Sequence, residues 1–430
     1  MVTRAFLSCK IKIKFPHLLR KIYHTRAVLL LKILLEKISL TYRNLFVLTV
    51  SFFSLAHFSC SDSPTSIGKE YLPQQIQVLE LNSFTDSLLQ SSSVSKKVFS
   101  LSNSTRLLLG KKDNVEAGIL IKFLIFFADS IKQQILNNQL NVISAKVELT
   151  KNYTFGNNSS GLDYSVHQIT NKWSTGFTSD SLSSLTFDAN DLSTGKTFTD
   201  SLNTFSISSQ TAFNWLKSYA DTGMTPSNGI YLKPSSSSAK IIGFQALVED
   251  EDSPIPYLRI IVEKPGVYQD TLSYFPSIDL SVVSGNLPDV GTENIGIQAG
   301  LNSRARVYFD LSKLPKNATI NFAKLTVTLD TLKTVTGTNF ENSLAVYYVK
   351  DSASLAYDST FSLQLDREGN TFSGDVTAII GLMTSQQQNH GFMIFPGDKF
   401  NGVELFALKG SNVSNLADRP KLQIKYTTNK

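Results

Sequence analysis

The sequence is poor in cysteine and histidine, and the positions of these residues exclude several kinds of chemistry. Of 430 residues only two are cysteine, Cys9 and Cys60, and both stand within the first sixty positions. The rest of the chain can form neither an internal disulfide nor a thiolate metal site. Three of the five histidines lie in the same region, which leaves His167 and His390. A Ser–His–Asp triad or a histidine metal site is therefore poorly supplied, and we expect no catalytic residues, no metal and no cofactor.

A basic surface is also missing from most of the chain, although the formal net charge is +6. Residues 1–60 hold ten Lys or Arg and one acid, Glu36, which leaves 31 basic and 34 acidic residues in the remainder. A mildly acidic body without a basic stripe argues against nucleic acid as a partner.

The apolar run near the N-terminus, Leu45–Ala56, has twelve residues. It is too short to span a bilayer and is typical of a signal-peptide core. Soon after it, Ser59 precedes Cys60, and this arrangement resembles a lipobox, in which the peptide is cut before a cysteine that then carries the lipids. The pattern predicts a signal-peptide region over 1–59, lipidation of Cys60, and a polar tether that begins at Cys60 and extends to position 76.

The first forty residues do not fit a signal peptide, because the basic region before the apolar core is normally short. They contain a second apolar patch, Val28–Leu35, which Lys32 interrupts. Our hypothesis is that translation begins near 38–40. The alternative is an amphipathic segment at the membrane surface.

Phenylalanine and tyrosine are abundant, with 28 and 15 residues, and together with many serines and threonines they favour strands. The strongest pattern is an internal repeat. Three pairs of identical residues are each 162 positions apart: Gly229 and Gly391, Pro234 and Pro396, and Phe244 and Phe406. Upstream, the segment Ser144–Leu149 matches Phe322–Val327. The repeat indicates two similar domains in tandem.

The hydrophobic periodicity predicts what these domains are built from. Leu325, Val327 and Leu329 alternate with polar residues, as in a half-buried strand. The apolar spacing from Val376 to Met383 predicts a short helix, with Thr211–Tyr219 as its counterpart in the first half.

We therefore predict an all-β fold with two tandem antiparallel β-sandwich domains, jelly-roll-like, each with one short helix. The expected limits are 77–264 and 265–428. The seam is placed at Lys264-Pro265-Gly266, a typical turn sequence.

The second half resembles a known family. The resemblance rests on SRARVYFDLSKLPKNATINFAKLTVTL (303–329), FSGDVTAII (372–380), HGFMIFPG (390–397) and RPKLQIKY (419–426). These segments are similar to the DNRLRE domain, which is related to carbohydrate-binding module family 96. The first half looks like a diverged copy that keeps Trp173 and Trp215.

A second resemblance concerns the start of the body, where CSDSPTSIGKEYLP (60–73) is similar to Bacteroidota lipoproteins built around domain of unknown function 4270. Both resemblances imply an envelope protein, and neither supplies a catalytic residue.

These observations favour a non-catalytic cell-envelope or surface lipoprotein with a binding or adhesion role and a glycan as candidate ligand. Aromatic rings can stack on sugars, and the candidate ligand-binding residues are Tyr153, Phe155, Trp173, Tyr219 and Tyr348. For Trp173 the favoured interpretation is nevertheless packing, as it is for Trp215. The expected partners are the membrane, through the lipid anchor, and a polysaccharide or another envelope protein. The expected location is the outer membrane, facing the periplasm or the cell surface.

Two other function classes stay open. In the first of these, the protein is a structural envelope or matrix component in which the sandwiches act as spacers. A polysaccharide-degrading enzyme is the third class and has the least support, because it needs paired carboxylates at a fixed separation.

Overall fold

The computed structural model describes residues 77–247 and 254–428. This part of the chain contains two curled antiparallel sheets, each folded around its own apolar core. The predicted all-β architecture of two sandwiches is confirmed. The signal-peptide region, the lipidation of Cys60 and the tether lie outside the described residues.

The described residues contain 23 strands. The first twelve are β1 (Leu79–Asn82), β2 (Gln90–Lys96), β3 (Arg106–Lys112), β4 (Val115–Phe123), β5 (Asn141–Phe155), β6 (Tyr164–Gln168), β7 (Ser193–Phe198), β8 (Leu202–Ile207), β9 (Ile230–Pro234), β10 (Ile241–Gln245), β11 (Tyr257–Lys264) and β12 (Tyr268–Tyr274). The others are β13 (Pro276–Gly285), β14 (Asn294–Gln298), β15 (Ser303–Phe309), β16 (Ala318–Thr328), β17 (Ser343–Asp351), β18 (Ala356–Tyr357), β19 (Leu363–Glu368), β20 (Thr371–Asp375), β21 (Phe392–Pro396), β22 (Leu405–Lys409) and β23 (Lys421–Thr428).

The first sandwich is formed by β3 to β13, in the order β12-β11-β5-β10-β3-β4-β9-β6, with β13 beside β4 and the β7–β8 hairpin beside β5. The second sandwich is formed by β1, β2 and β14 to β23. Its order is β1-β23-β16-β20-β19-β17-β21-β15-β14-β22, with β2 beside β15 and β18 beside β17.

The predicted limits of the two sandwiches are wrong. Lys264-Pro265-Gly266 forms a tight turn, in which the Val267 amide donates to the Lys264 carbonyl at 2.9 Å, inside the β11–β12 hairpin of the first sandwich. The chain passes to the second sandwich between Gly285 and Asn294. The repeat identified the core strands, but it does not indicate which sheet a flanking strand joins, since β13 pairs with the distant β4.

The edge strands β1 and β2, at the start of the described chain, also lie in a different sandwich from the one predicted. They precede the first sandwich in sequence but belong to the second, where β1 pairs with β23 and β2 pairs with β15. Leu81 and Leu88 accordingly lie in the core of the second sandwich.

Three α-helices occur in the described residues: α1 (Asp129–Leu136), α2 (Ser209–Ala220) and α3 (Thr377–Ser385). The apolar stripe predicted for α3 is confirmed, since Ile379, Ile380 and Met383 are buried. The prediction of one helix per domain is wrong, because the first sandwich holds both α1 and α2. In α1 Ile135 is fully buried, and Ile131 and Leu136 pack beside it against the core of the first sandwich.

None of the α-helices in the described ranges is long and apolar enough to cross a membrane.

The internal repeat is visible in the backbone. Gly229 precedes β9 and Gly391 precedes β21, with φ of 97° and 88°. A Cβ at Gly229 would overlap the carbonyl oxygen of Ile121 on β4, and one at Gly391 would overlap that of Val307 on β15. Glycine is needed at both positions because no side chain fits this close approach of two backbones.

The two sandwiches contact each other through a buried junction. Its apolar part includes Leu108, Tyr153 and Phe155 of the first sandwich and Leu301 and Val403 of the second. Burial of these side chains joins the two sandwiches into a continuous structure.

Polar groups surround this junction. The Arg106 guanidinium donates to the carbonyl of Asn401 and, at 3.3 Å, to that of Asn339. The Thr154 amide donates to the Thr338 hydroxyl at 2.9 Å, and the Thr338 amide donates back to the Thr154 carbonyl at 2.8 Å. The junction therefore combines an apolar core with specific hydrogen bonds between the two sandwiches.

Candidate functional site

A cavity of about 650 Å³ opens at one end of the first sandwich, and we call it the end cavity. Its apolar floor is formed by Ile242 and Phe244 of β10, whose side chains belong to the core of the first sandwich. Lys151 stands beside them, because it pairs with Phe244 across β5 and β10 and so lies on the same face. The end cavity is thus the place where the core reaches the surface.

The aromatic part of the rim is Phe198, at the end of β7. It pairs with Asn203 across the β7–β8 hairpin and keeps 47% of its surface exposed. Its ring packs edge-on against Tyr164, with the centroids 6.2 Å apart. Support from one side and exposure on the other is the arrangement in which an aromatic ring can receive a flat ligand.

Polar groups complete the lining. Asn203 is buried, and its side-chain amide donates to the Tyr164 hydroxyl at 3.2 Å. Thr199 and Asp200 contribute from the hairpin turn, and Asn158 from the loop after β5. A small number of polar groups around an apolar floor is typical of ligand sites.

Two lysines give the end cavity its charge. Lys240 donates to the Asn158 carbonyl at 2.8 Å. Burial lowers the pKa of Lys240, and the positive charge of Lys151 lowers it further. Within the described part of the chain neither lysine has a carboxylate within 4 Å. Among the described lining residues Asp200 is the one acid, so these residues together carry a net positive charge.

The candidate ligand-binding residues from the sequence do not line this cavity. Tyr153 and Phe155 are buried in the junction, where the Tyr153 hydroxyl accepts from the Val403 amide at 3.2 Å. Burial raises the pKa of Tyr153, and the nearby charge of Glu404 adds to the effect. Tyr348 lies in the core of the second sandwich and donates to the Gln386 side chain at 3.1 Å.

The other two candidates are half-buried and held by hydrogen bonds. The Trp173 indole donates to the Asn228 carbonyl at 2.7 Å, and the Tyr219 hydroxyl donates to the Ser227 carbonyl at 3.3 Å. The five aromatics therefore occupy separate places and form no common surface. Tyr219 lies on α2 and Trp173 lies in a loop, so strand alternation gives no direction for either ring. On β5 a register shift opposite Gly243 and Phe244 interrupts the alternation just before Tyr153.

The sequence offered a weak signal for the real rim. Phe198 is an aromatic residue next to a polar hairpin turn, Thr199-Asp200-Ser201, where an exposed ring has no role in the core. Lys151 and Lys240 are 89 positions apart and carry no signal, because the fold alone brings them together.

The two histidines of the body lie in different sandwiches. His167 is buried on β6, with Nδ1 2.9 Å from the Asp188 carbonyl and Nε2 2.6 Å from the Ser165 hydroxyl. His390 precedes β21, and its carbonyl accepts from Arg306 at 2.7 Å. No group of three or more metal-ligating side chains occurs in the described ranges.

No protein-family model matches this chain, and no curated protein matches it either.

Proposed function

We propose that this protein is an exported lipoprotein that binds a polysaccharide in the end cavity without catalysing a reaction. The observation that carries the proposal is the half-exposed Phe198 ring above an apolar floor, with hydroxyl, amide and ammonium groups around it. A sugar ring presents C–H bonds to an aromatic face and hydroxyl groups to polar neighbours.

The anchor in this proposal is Cys60, which would hold the protein in the outer membrane. It is supported by the apolar run before Cys60 and by the resemblance to Bacteroidota lipoproteins. Incorporation of labelled palmitate, lost in Cys60→Ser, is the expected result.

Binding without catalysis is supported by the lining of the end cavity. Glycoside hydrolysis uses two carboxyl groups across the scissile bond, whereas among the described lining residues Asp200 is the single acid. Lys151 and Lys240 favour a polysaccharide with carboxylate or sulfate groups, since an anionic group between them would relieve their mutual repulsion.

A glycan array followed by calorimetry on the mature protein tests the proposal. Phe198→Ala is expected to weaken the best oligosaccharide at least tenfold, about 1.4 kcal/mol. Lys151→Leu is expected to weaken acidic oligosaccharides more than neutral ones.

The matched control is Phe126→Ala. Phe126 is 59% exposed and packs edge-on against Tyr274 at 6.1 Å, much as Phe198 packs on Tyr164, but it is absent from the lining of the end cavity. Equal losses in the two variants, or no binding to any glycan, would contradict the proposal.

The spacer role is favoured by one observation, the buried junction that fixes one sandwich against the other. A protein that binds no glycan but whose removal weakens the envelope would support this second function.

A further inference from the structure

A groove of about 290 Å³ on the second sandwich carries a cluster of exposed apolar side chains, and we call it the apolar groove. Phe84 is 52% exposed, Leu89 is 70% exposed and Leu416 is 53% exposed, and all three line it. Single exposed apolar residues are ordinary, but several around one groove mark a surface that contacts something.

The charges in the apolar groove have one sign. Arg419 and Lys421 line it, and none of the other described lining residues is acidic. The Lys421 ammonium lies 6.0 Å from the centre of the Phe84 ring. Apolar side chains flanked by basic ones are the combination found on protein surfaces that rest in the interface of an anionic membrane.

Two acids adjoin lining residues in the sequence, and both accept local hydrogen bonds. Asp86 accepts from the Asn82 amide at 2.7 Å, and Asp418 accepts from the Asn415 side chain at 2.9 Å. Both bonds stabilise turns that hold the apolar groove in shape, so these acids have structural partners.

The position of the apolar groove along the chain points to the same surface. Phe84 and Leu89 flank the turn between β1 and β2, the first strands of the described chain. Cys60 is 19 positions before Leu79, and a chain of that length spans at most about 65 Å even when fully extended. A lipid on Cys60 would keep the start of β1, which leads directly into the apolar groove, within that distance of the bilayer.

We propose that the apolar groove rests on the membrane that holds the lipid anchor, with Phe84, Leu89 and Leu416 in the interface and Arg419 and Lys421 against anionic headgroups. The inference rests on the anchor in the proposed function. Together with the lipid anchor, this contact would fix the orientation of the first sandwich and its end cavity relative to the membrane.

Quenching of tryptophan fluorescence by brominated lipids tests this contact. The full chain, lipidated in cells and reconstituted into vesicles of phosphatidylethanolamine and phosphatidylglycerol, would carry Leu416→Trp. We expect its emission to fall at least twofold when brominated lipids replace ordinary ones, and to fall less when phosphatidylglycerol is omitted.

The matched control is Val267→Trp, at a position that is 67% exposed on the β11–β12 turn of the first sandwich. Trp173 and Trp215 contribute the same background to both variants. Thermal unfolding of each variant checks that the fold is kept, and Leu89→Trp replaces Leu416→Trp if it is not.

Equal quenching in the two variants would overturn the contact. Emission shifted to the blue without any effect of brominated lipid, together with dimers in sedimentation, would overturn it in favour of a second copy of the chain. Labelling with palmitate distinguishes failure of the membrane contact from failure of the lipid anchor. A lipidated but unquenched protein loses the contact and keeps the proposed function, whereas a protein without palmitate loses the anchor and the contact together.

Discussion

The two sandwiches share a framework but differ at the end where β10 and β22 lie. Phe244 and Phe406 are equivalent in the repeat, and both are fully buried. In the second sandwich the rings of Phe372 and Phe340 cover Phe406, with centroids at 5.8 and 6.3 Å. In the first sandwich Phe244 instead forms the floor of the end cavity.

A single position accounts for part of this difference. Continuing the match between Ser144–Leu149 and Phe322–Val327, Lys151 of the first sandwich corresponds to Leu329 of the second. Leu329 is buried in the core, whereas Lys151 lines the end cavity. One framework can therefore be closed by apolar side chains at this end or left open as a cavity, depending on the residues it carries.

The largest expected effect comes from cutting the chain at the apparent seam. Residues 265–428 alone lack β1 and β2, which supply Leu81 and Leu88 to the core, and they carry β12 and β13 without the partners of these strands. We expect no cooperative thermal transition by circular dichroism.

A permuted fragment sharpens this prediction. Leu79 lies opposite Tyr426 in the β1–β23 pair, so residues 286–428 followed by 77–98 need only a short connecting turn. We expect this fragment to unfold cooperatively. Cooperative unfolding of 265–428 instead would show that β1 and β2 are dispensable.

The second prediction concerns the stability lost when equivalent core residues of the two sandwiches are truncated. Phe309 on β15 and Phe123 on β4 are 1% and 5% exposed, and Phe309 packs edge-on against Phe392 at 6.2 Å. Phe309→Ala and Phe123→Ala should each lower the free energy of unfolding by about 3–5 kcal/mol, because each leaves a cavity. Denaturant unfolding measures it, and a loss below about 1 kcal/mol, typical of a surface site, would contradict the assigned faces.

The smallest effect is a pH dependence that belongs to the first sandwich. Asp279 on β13 is 6% exposed, and burial raises its pKa to about 6, partly offset by the Leu247 amide, which donates to it at 2.8 Å. An unfolded aspartate has a pKa of about 3.9. The folded state therefore holds the proton more tightly, and the stability present below about pH 4 is lost as the pH rises to about 6.

This loss should amount to about 2 kcal/mol. Asp279→Asn should remove it, so the variant gains stability relative to the wild type at pH 7.5 but not at pH 4. Urea unfolding at the two pH values measures the difference, with the exposed Asp289→Asn as control. Parallel pH profiles for Asp279→Asn and the wild type would show that Asp279 does not titrate in this range.

The sequence by itself determined the strand content, the two-fold repeat, the core faces of β15 and β16 and the stripe of α3. Each of these follows from local periodicity, which records which side of an element is buried. The glycines before β9 and β21 were visible as a repeat, because a close backbone approach admits no other residue.

Tertiary structure alone decided the limits of the sandwiches, the directions of the aromatic rings and the end cavity. β1 and β2 pair with β23 and β15, which lie far along the chain, and their own residues do not indicate which of the two sheets they join. A register shift at Asn152 of β5, opposite Gly243 and Phe244 of β10, places Lys151 beside Phe244 and Tyr153 beside Gly243. Lys151 and Lys240 meet because the chain folds back between them, and no local property of either segment records that encounter.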